Sequence, residues 1–198
     1  MKNILSIIAL FTVVSLSSKA QHGVLDPTKQ VQPSDPMENL PKGEVHWISF
    51  EQALEKSKKE KKKILIDLYT DWCGWCKVMD KKTYSIKVIA DYINKNYYPV
   101  KFDAEQLNDI TFKGKTFKHV GGAGRNGYHE LAYAMLNGQM SYPSTVFMDE
   151  DFNMIQAALP GMIKPDVMEP ILKYLNENKH LANIAWPDYL RDFKSELK

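Results

Sequence analysis

The segment Lys63-Ile64-Leu65-Ile66-Asp67-Leu68-Tyr69 is a short apolar run broken by one acid, and it leads directly into Asp71-Trp72-Cys73-Gly74-Trp75-Cys76-Lys77. A run of this length suits a strand buried on both faces, as parallel strands are. Helical sequence starts at Gly74, breaks near Thr83 to Ser85, and resumes with Ile86, Ile89, Ala90 and Ile93 at helical spacing. Tyr97 to Asp103 reads as the next strand. Strand, helix and strand in this order predict a βαβ unit with a right-handed crossover. The chain is therefore expected in the α/β class, as a three-layer sandwich with a mixed central sheet and helices on both faces.

The flanking segments fill out this frame. Val45 to Ile48 reads as a strand, and Ser49 with Gln52 three residues later makes a capping-box pattern opening a helix whose face carries Phe50, Ala53, Leu54 and Ser57. Residues 106–126 are irregular and longer than the frame needs. Within them Thr111 to Phe117 suggests a small hairpin, and Gly121, Gly122, Gly124 and Gly127 follow as a glycine-rich loop. A helix from about Tyr128 to Leu136 comes next. Ser144 to Met148 and Met154 to Ala158 predict an antiparallel hairpin. A helix through Ile171, Leu172 and Leu175 has Pro170 near its start, and residues 183–198 form an added amphipathic helix with Trp186, Tyr189, Leu190, Phe193 and Leu197.

The N-terminus speaks to compartment. Lys2 precedes an apolar run from Ile4 to Leu16 and then Ser18-Lys19-Ala20, which reads as a cleavable secretory signal over residues 1–20. The run is shorter than the roughly 20 residues a transmembrane helix needs. Residues 21–43 hold Pro27, Pro33, Pro36 and Pro41 with little apolar content and read as a flexible tether, so the folded domain is expected over 44–198. The chain is expected to be periplasmic or secreted, with no membrane insertion of the mature chain, and monomeric. Its 26 basic and 24 acidic residues leave a formal charge of +2, which gives no push toward nucleic acid. The dense basic run Lys58-Lys59-Glu60-Lys61-Lys62-Lys63 suits a solvated helix end.

Both cysteines of the chain lie within four residues. A bridge closing so small a loop removes little unfolded-state entropy, so a redox role explains the spacing better than a structural one. At a strand–helix junction the first thiol sits at the helix N-terminus, where unpaired N–H groups and the dipole favour the thiolate. Cys73 is then expected as the exposed nucleophile and Cys76 as the resolving thiol. The alternatives are a permanent structural bridge or half of a zinc site. Zinc would need two more ligands, and His119 and His129 lack the usual His spacing. Haem attachment is excluded because Lys77, not His, follows Cys76. Gly122-Ala123-Gly124-Arg125-Asn126-Gly127 matches G-x-G-x-x-G literally but follows no first strand of a dinucleotide unit, and Gly114-Lys115-Thr116 lacks the first glycine of a P-loop. Asp67 in an apolar strand costs several kcal/mol if ionised without a partner, so it is either at a solvated strand end or kept for chemistry.

On these residues the sequence resembles the thioredoxin superfamily, from about Val45 to Leu175, and is closest to exported bacterial thioredoxin-like proteins and the thioredoxin-like domain of DsbD. Asp67 matches the family's buried acid, Trp72 its aromatic before the first cysteine, and Lys101 its lysine near that acid. Tyr142-Pro143-Ser144-Thr145 is similar to the segment whose cis-proline faces the disulfide. Trp75 departs from the proline usual in thioredoxin itself, and the 106–126 insertion departs from the family core.

The resemblance implies a thiol–disulfide oxidoreductase, a reductase or isomerase of exported protein disulfides, with Cys73 and Cys76 catalytic. Asp67, Lys101, Trp72, Trp75, Tyr142 and Pro143 would support them. No cofactor is required. The implied partners are protein disulfides and an upstream thiol–disulfide electron donor. A binding module that keeps the fold and holds peptides on Trp72 and Trp75 is the alternative. The insertion leaves from the sheet edge that carries the cysteine motif, so it is expected to wall the substrate groove.

Overall fold

The computed structural model describes residues 39–198. The expected signal peptide and most of the tether lie outside the described residues. In chain order the elements are helix α1 (Phe50–Ser57), strand β1 (Lys63–Tyr69), helix α2 (Gly74–Met79), which passes into a π-helical turn (Asp80–Tyr84), helix α3 (Lys87–Asn96) and strand β2 (Tyr97–Asp103). Two short hairpins follow, β3 (Ile110–Phe112) with β4 (Lys115–Phe117) and β5 (His119–Gly121) with β6 (Gly127–His129). The chain ends with α4 (Glu130–Met135), β7 (Ser144–Met148), β8 (Leu159–Pro160), α5 (Pro165–Asn176) and α6 (Trp186–Asp192).

The central sheet has the order β2-β1-β7-β8, with β1 parallel to β2 and antiparallel to β7. Alternation along β1 divides the core. Ile64, Ile66 and Leu68 pack with Phe50 and Ala53 of α1 and Leu131 and Ala132 of α4. Leu65 packs on the other face with Met79, Ile89 and Ile93 of the α2–α3 region and Met168 and Leu172 of α5. Helices therefore cover both faces, as a parallel β1–β2 pair requires. Asp67 has the parity of Leu65 and so lies under α2.

Local chemistry explains most of the boundaries. Ser49 accepts from the Gln52 N–H while the Gln52 side chain accepts from the Ser49 N–H, completing the expected capping box of α1. The predicted break near Thr83 to Ser85 is the π turn, closed by a Ser85 N–H bond to the Asp80 carbonyl at 3.0 Å.

Several expectations are revised. Val45 to Ile48 forms no strand; one parallel bridge joins Ile48 to Val100 at the edge of β2. The folded part begins before Glu44, because Leu40 is buried and the Lys87 N–H donates to the Pro41 carbonyl. Met154 makes a single bridge to Met148, and the strand pairing with β7 is instead the two-residue β8, so 154–158 is not a strand. Tyr128 lies in β6, not in the following helix. Helix α5 opens with Pro165 in its first turn, which leaves Pro170 inside the helix. Lys63, the end of the basic run, is buried and pairs with Glu150 at 2.7 Å.

The C-terminal helix is shorter than 183–198. It docks through aromatic contacts of Trp186 and Tyr189 with Tyr174, each with centroids 5.1 Å apart. The tail beyond it is fastened to a buried acid. Glu169, 1% exposed, accepts from the Ser195 hydroxyl at 2.5 Å, the Glu196 N–H at 2.9 Å and Lys173 at 2.8 Å. Removing one partner from a buried charged cluster is costly because the other charge is stranded. Glu169→Ala is expected to lower unfolding free energy by about 3 kcal/mol in urea titration, with Glu169→Gln losing less.

Candidate functional site

Cys73 occupies the N-cap of α2 and is bonded to Cys76 with an S–S distance of 2.01 Å. Its Sγ accepts the Cys76 N–H at 3.0 Å, and its own N–H donates to the Thr70 carbonyl at 3.0 Å. An N-cap sulfur is where a helix offers unpaired donors, so a thiolate there is stabilised by the backbone. The sequence expects Cys73 to be exposed. In this disulfide form it is 4% exposed against 3% for Cys76, so the asymmetry between the two sulfurs comes from helix position and not from accessibility.

Behind the disulfide lies a charged chain. Asp67 is 1% exposed, and its Oδ2 accepts from Lys101 Nζ at 2.5 Å. The register Asp67↔Lys101 across the parallel β1–β2 pair sets that contact. Lys101 also donates to Asp80 Oδ1 at 2.5 Å, at the start of the π turn. The rings of Trp47 and Tyr69 lie 5.0 and 5.1 Å from the ammonium. Burial raises the Asp67 carboxyl to about 6, against the lowering pull of Lys101 and with a small further push from Asp80. Its second oxygen, Oδ1, is buried and has no hydrogen-bond partner among the described residues. Asp67 thus holds a free acceptor in a range where it can take or give a proton near neutral pH.

Around the disulfide the surface is aromatic. Trp72 and Trp75 are 44% and 64% exposed. The Trp72 ring meets Tyr142 edge-on at 6.0 Å, and its indole N–H donates to Glu105 Oε1 at 2.8 Å. The Tyr142-Pro143 peptide is cis, as the resemblance implies, and leads into β7 beside β1.

The insertion reaches this surface, since the Arg125 guanidinium lies 4.6 Å from the centre of the Trp72 ring. Two histidines brace it, His119 within it and His129 just after it. The His119 ring lies between the carbonyls of Gln106 and Gly122, at 3.1 and 2.9 Å. His129 caps α4, accepting the Leu131 N–H at Nδ1, while its Nε2 meets the Asn108 carbonyl at 3.0 Å. A Cβ at Gly127 would stand 2.3 Å from His119 Nε2 and 2.1 Å from the Gly122 carbonyl, so only glycine closes this hairpin. The literal G-x-G-x-x-G match is therefore the tip of β5–β6 and not a strand-to-helix phosphate loop.

The structure thus joins Cys73, Cys76, Asp67, Lys101, Trp72, Tyr142 and Pro143 at or beside the sheet edge expected for them, with Trp75 exposed on α2. Sequence reading misses Asp80, Glu105, Arg125 and Trp47. Asp80 follows Cys76 by four residues, a spacing that shares one helical face and could have revealed it. The others come from loops without periodicity.

A mixed sheet covered on both faces, with a Cys-x-x-Cys disulfide at a helix N-terminus and a buried acid beneath it, defines a thioredoxin-like protein. The family model described as Thioredox_DsbH, protein of unknown function, DUF255, matches residues 32–168, and the chain belongs to that family. Spermatogenesis-associated protein 20 of Rattus norvegicus is 28% identical over 81 residues, 40% of this chain and 10% of the relative. Its Homo sapiens counterpart is 26% identical over 108 residues, 54% of this chain and 14% of the relative. The match thus spans about a tenth of the length of these relatives. Among solved structures, a thioredoxin-fold protein from Helicobacter pylori superposes with a TM-score of 0.50 at 16% identity, covering 80% of this chain and 89% of that one. That likeness concerns the fold.

The raised Asp67 carboxyl ties stability to pH. In the folded oxidised protein Asp67 holds its proton up to about pH 6, whereas the unfolded chain releases it near 3.8, so the folded state loses stability as pH rises between these values. Asp67→Asn is expected to be more stable than wild type by about 3 kcal/mol at pH 7.5 and indistinguishable from it near pH 3.5. Parallel pH profiles of urea midpoints in the two proteins would contradict this.

Proposed function

We propose that the chain is a thiol–disulfide oxidoreductase that reduces or isomerises disulfides of exported proteins. The observation that carries this reading is the Cys73–Cys76 disulfide at the α2 N-cap, backed by a buried acid with a free oxygen. In the reduced protein Cys73, as thiolate, attacks one sulfur of a substrate disulfide, and the other substrate sulfur departs with its electron pair and is protonated. Asp67 takes the Cys76 proton, and the Cys76 thiolate attacks Cys73 Sγ. The second substrate sulfur is released as a thiol, and two electrons have passed to the substrate. The Cys73–Cys76 disulfide remains. A dithiol partner upstream returns it to the reduced form.

Lys101 has a defined place in this cycle. Shared between Asp67 and Asp80, it limits the charge that builds when Asp67 is ionised, while Asp80 at 43% side-chain exposure offers an outlet toward solvent. An Asp and Lys behind the motif also favour a reducing role. A reduction potential below about −180 mV is expected, and a value near the DsbA end of the range, about −120 mV, would reverse the direction.

The reading is tested by insulin reduction with a thiol donor. Cys73→Ser is expected to abolish turnover, and Cys76→Ser to accumulate a mixed disulfide through Cys73. In the reduced protein at neutral pH, iodoacetamide is expected to label Cys73 at least tenfold faster than Cys76, because only Cys73 sits at the helix N-cap. The exposed Trp72 and Trp75 support a second reading, a peptide-binding module without turnover. Equal insulin reduction by wild type and Cys73→Ser would favour it. Export itself rests on Lys2 and the apolar run from Ile4 to Leu16, and N-terminal sequencing of the native protein checks cleavage after Ala20.

A further inference from the structure

Arg125 stands at the tip of the insertion, in the 3-10 turn Gly124–Asn126 between β5 and β6. Its guanidinium covers the face of Trp72, the residue before Cys73. A cation–π contact takes up none of the guanidinium's five N–H donors in a conventional hydrogen bond. Among the described residues no carboxylate lies within ion-pair distance of Arg125, and the side chain is exposed. Two other cations of the insertion are engaged, Lys113 with the Phe152 carbonyl and Asn153 and Lys118 with Asp109, while Lys115 lies over the Phe117 ring, within the insertion itself.

The platform beneath Arg125 is itself held. Glu105 binds the indole N–H of Trp72 and Tyr142 packs against its ring, so the cation is stationed beside the disulfide at a defined place. At the base of the hairpin that carries it, the His119 ring sits between the carbonyls of Gln106 and Gly122. A donor array that is positioned, charged and unspent, next to the sulfur a substrate must reach, is suited to a carboxylate, which a guanidinium takes in two parallel hydrogen bonds.

We propose that Arg125 is a specificity-determining residue that binds an Asp or Glu side chain lying next to the reacting cysteine of the substrate polypeptide. The assignment rests on the oxidoreductase reading of the same site and adds the substrate class. Asp71 and Glu105 have the opposite charge, so a substrate carboxylate is favoured only where it meets Arg125. Charge next to the cysteine then sets the register of the bound chain over the disulfide.

Two synthetic peptides, each closed by one internal disulfide and differing only in Glu or Lys beside the attacked cysteine, test this. Their reaction with the reduced full-length protein is followed by stopped-flow tryptophan fluorescence. Wild type is expected to favour the Glu peptide by about fivefold at low salt, with the preference shrinking as salt rises. The ratio is expected to fall to near one in Arg125→Ala and to invert in Arg125→Glu. Because each protein is read as a ratio of two substrates, a general loss of activity in a variant does not mimic the result. No preference in wild type, or a preference that survives both substitutions, overturns the assignment while leaving the oxidoreductase reading intact. Failure of wild type to react with either peptide removes both.

Discussion

Lys101 lies between two carboxylates on different elements, Asp67 in β1 and Asp80 at the start of the π turn, and much of the molecule is arranged around that contact. A carboxylate on a strand buried on both faces would be expelled or permanently neutralised without a cation near it. The parallel register of β1 and β2 brings the cation, and the rings of Trp47 and Tyr69 shield it. Lys101 is not a full match for Asp67. Burial still raises the acid, and one of its oxygens has no donor among the described residues. Such incomplete compensation lowers stability at neutral pH and leaves an unbonded carboxyl oxygen on the face of β1 that α2 covers.

The surface over the disulfide is assembled differently. Trp72 belongs to the motif, Glu105 to the turn after β2, Arg125 to the insertion and Tyr142 to the segment before β7, and all three of the latter converge on one indole ring. This convergence follows from topology. Because β1 and β2 are parallel, their C-terminal ends lie together, and everything that leaves β2 starts beside Cys73. The insertion does not wander from that edge, because the Ala104 carbonyl accepts the His129 N–H and both histidines hold loop carbonyls. Histidines that could be weighed as metal ligands in the bare sequence are thus structural braces.

The frame and the chemical pair were legible in the sequence because both depend on local pattern. Apolar runs bounded by turn residues marked β1, β2 and β7, the Ser49–Gln52 pair marked the start of α1, and the Cys-x-x-Cys spacing placed two sulfurs on one turn of a helix. Errors fell where pattern is weak. Val45 to Ile48 is apolar enough to read as a strand yet makes one bridge, since a strand needs a partner along its length. The segment 154–158 lost its pairing to the two-residue β8, a choice made by the packing of β7 and invisible in either segment alone.

The sequence by itself therefore determined the class of fold, the order of its central elements and which two cysteines lie together at a strand–helix junction, because each is written in residues close together in the chain. Only the tertiary structure decided that Asp80 shares Lys101 with Asp67, that Arg125 rests on Trp72, and that the two cysteines are equally buried in the disulfide. These are contacts between segments separated by loops of no fixed period. Their geometry is set by strand register and by which backbone groups a loop must satisfy, and neither is encoded in residue spacing.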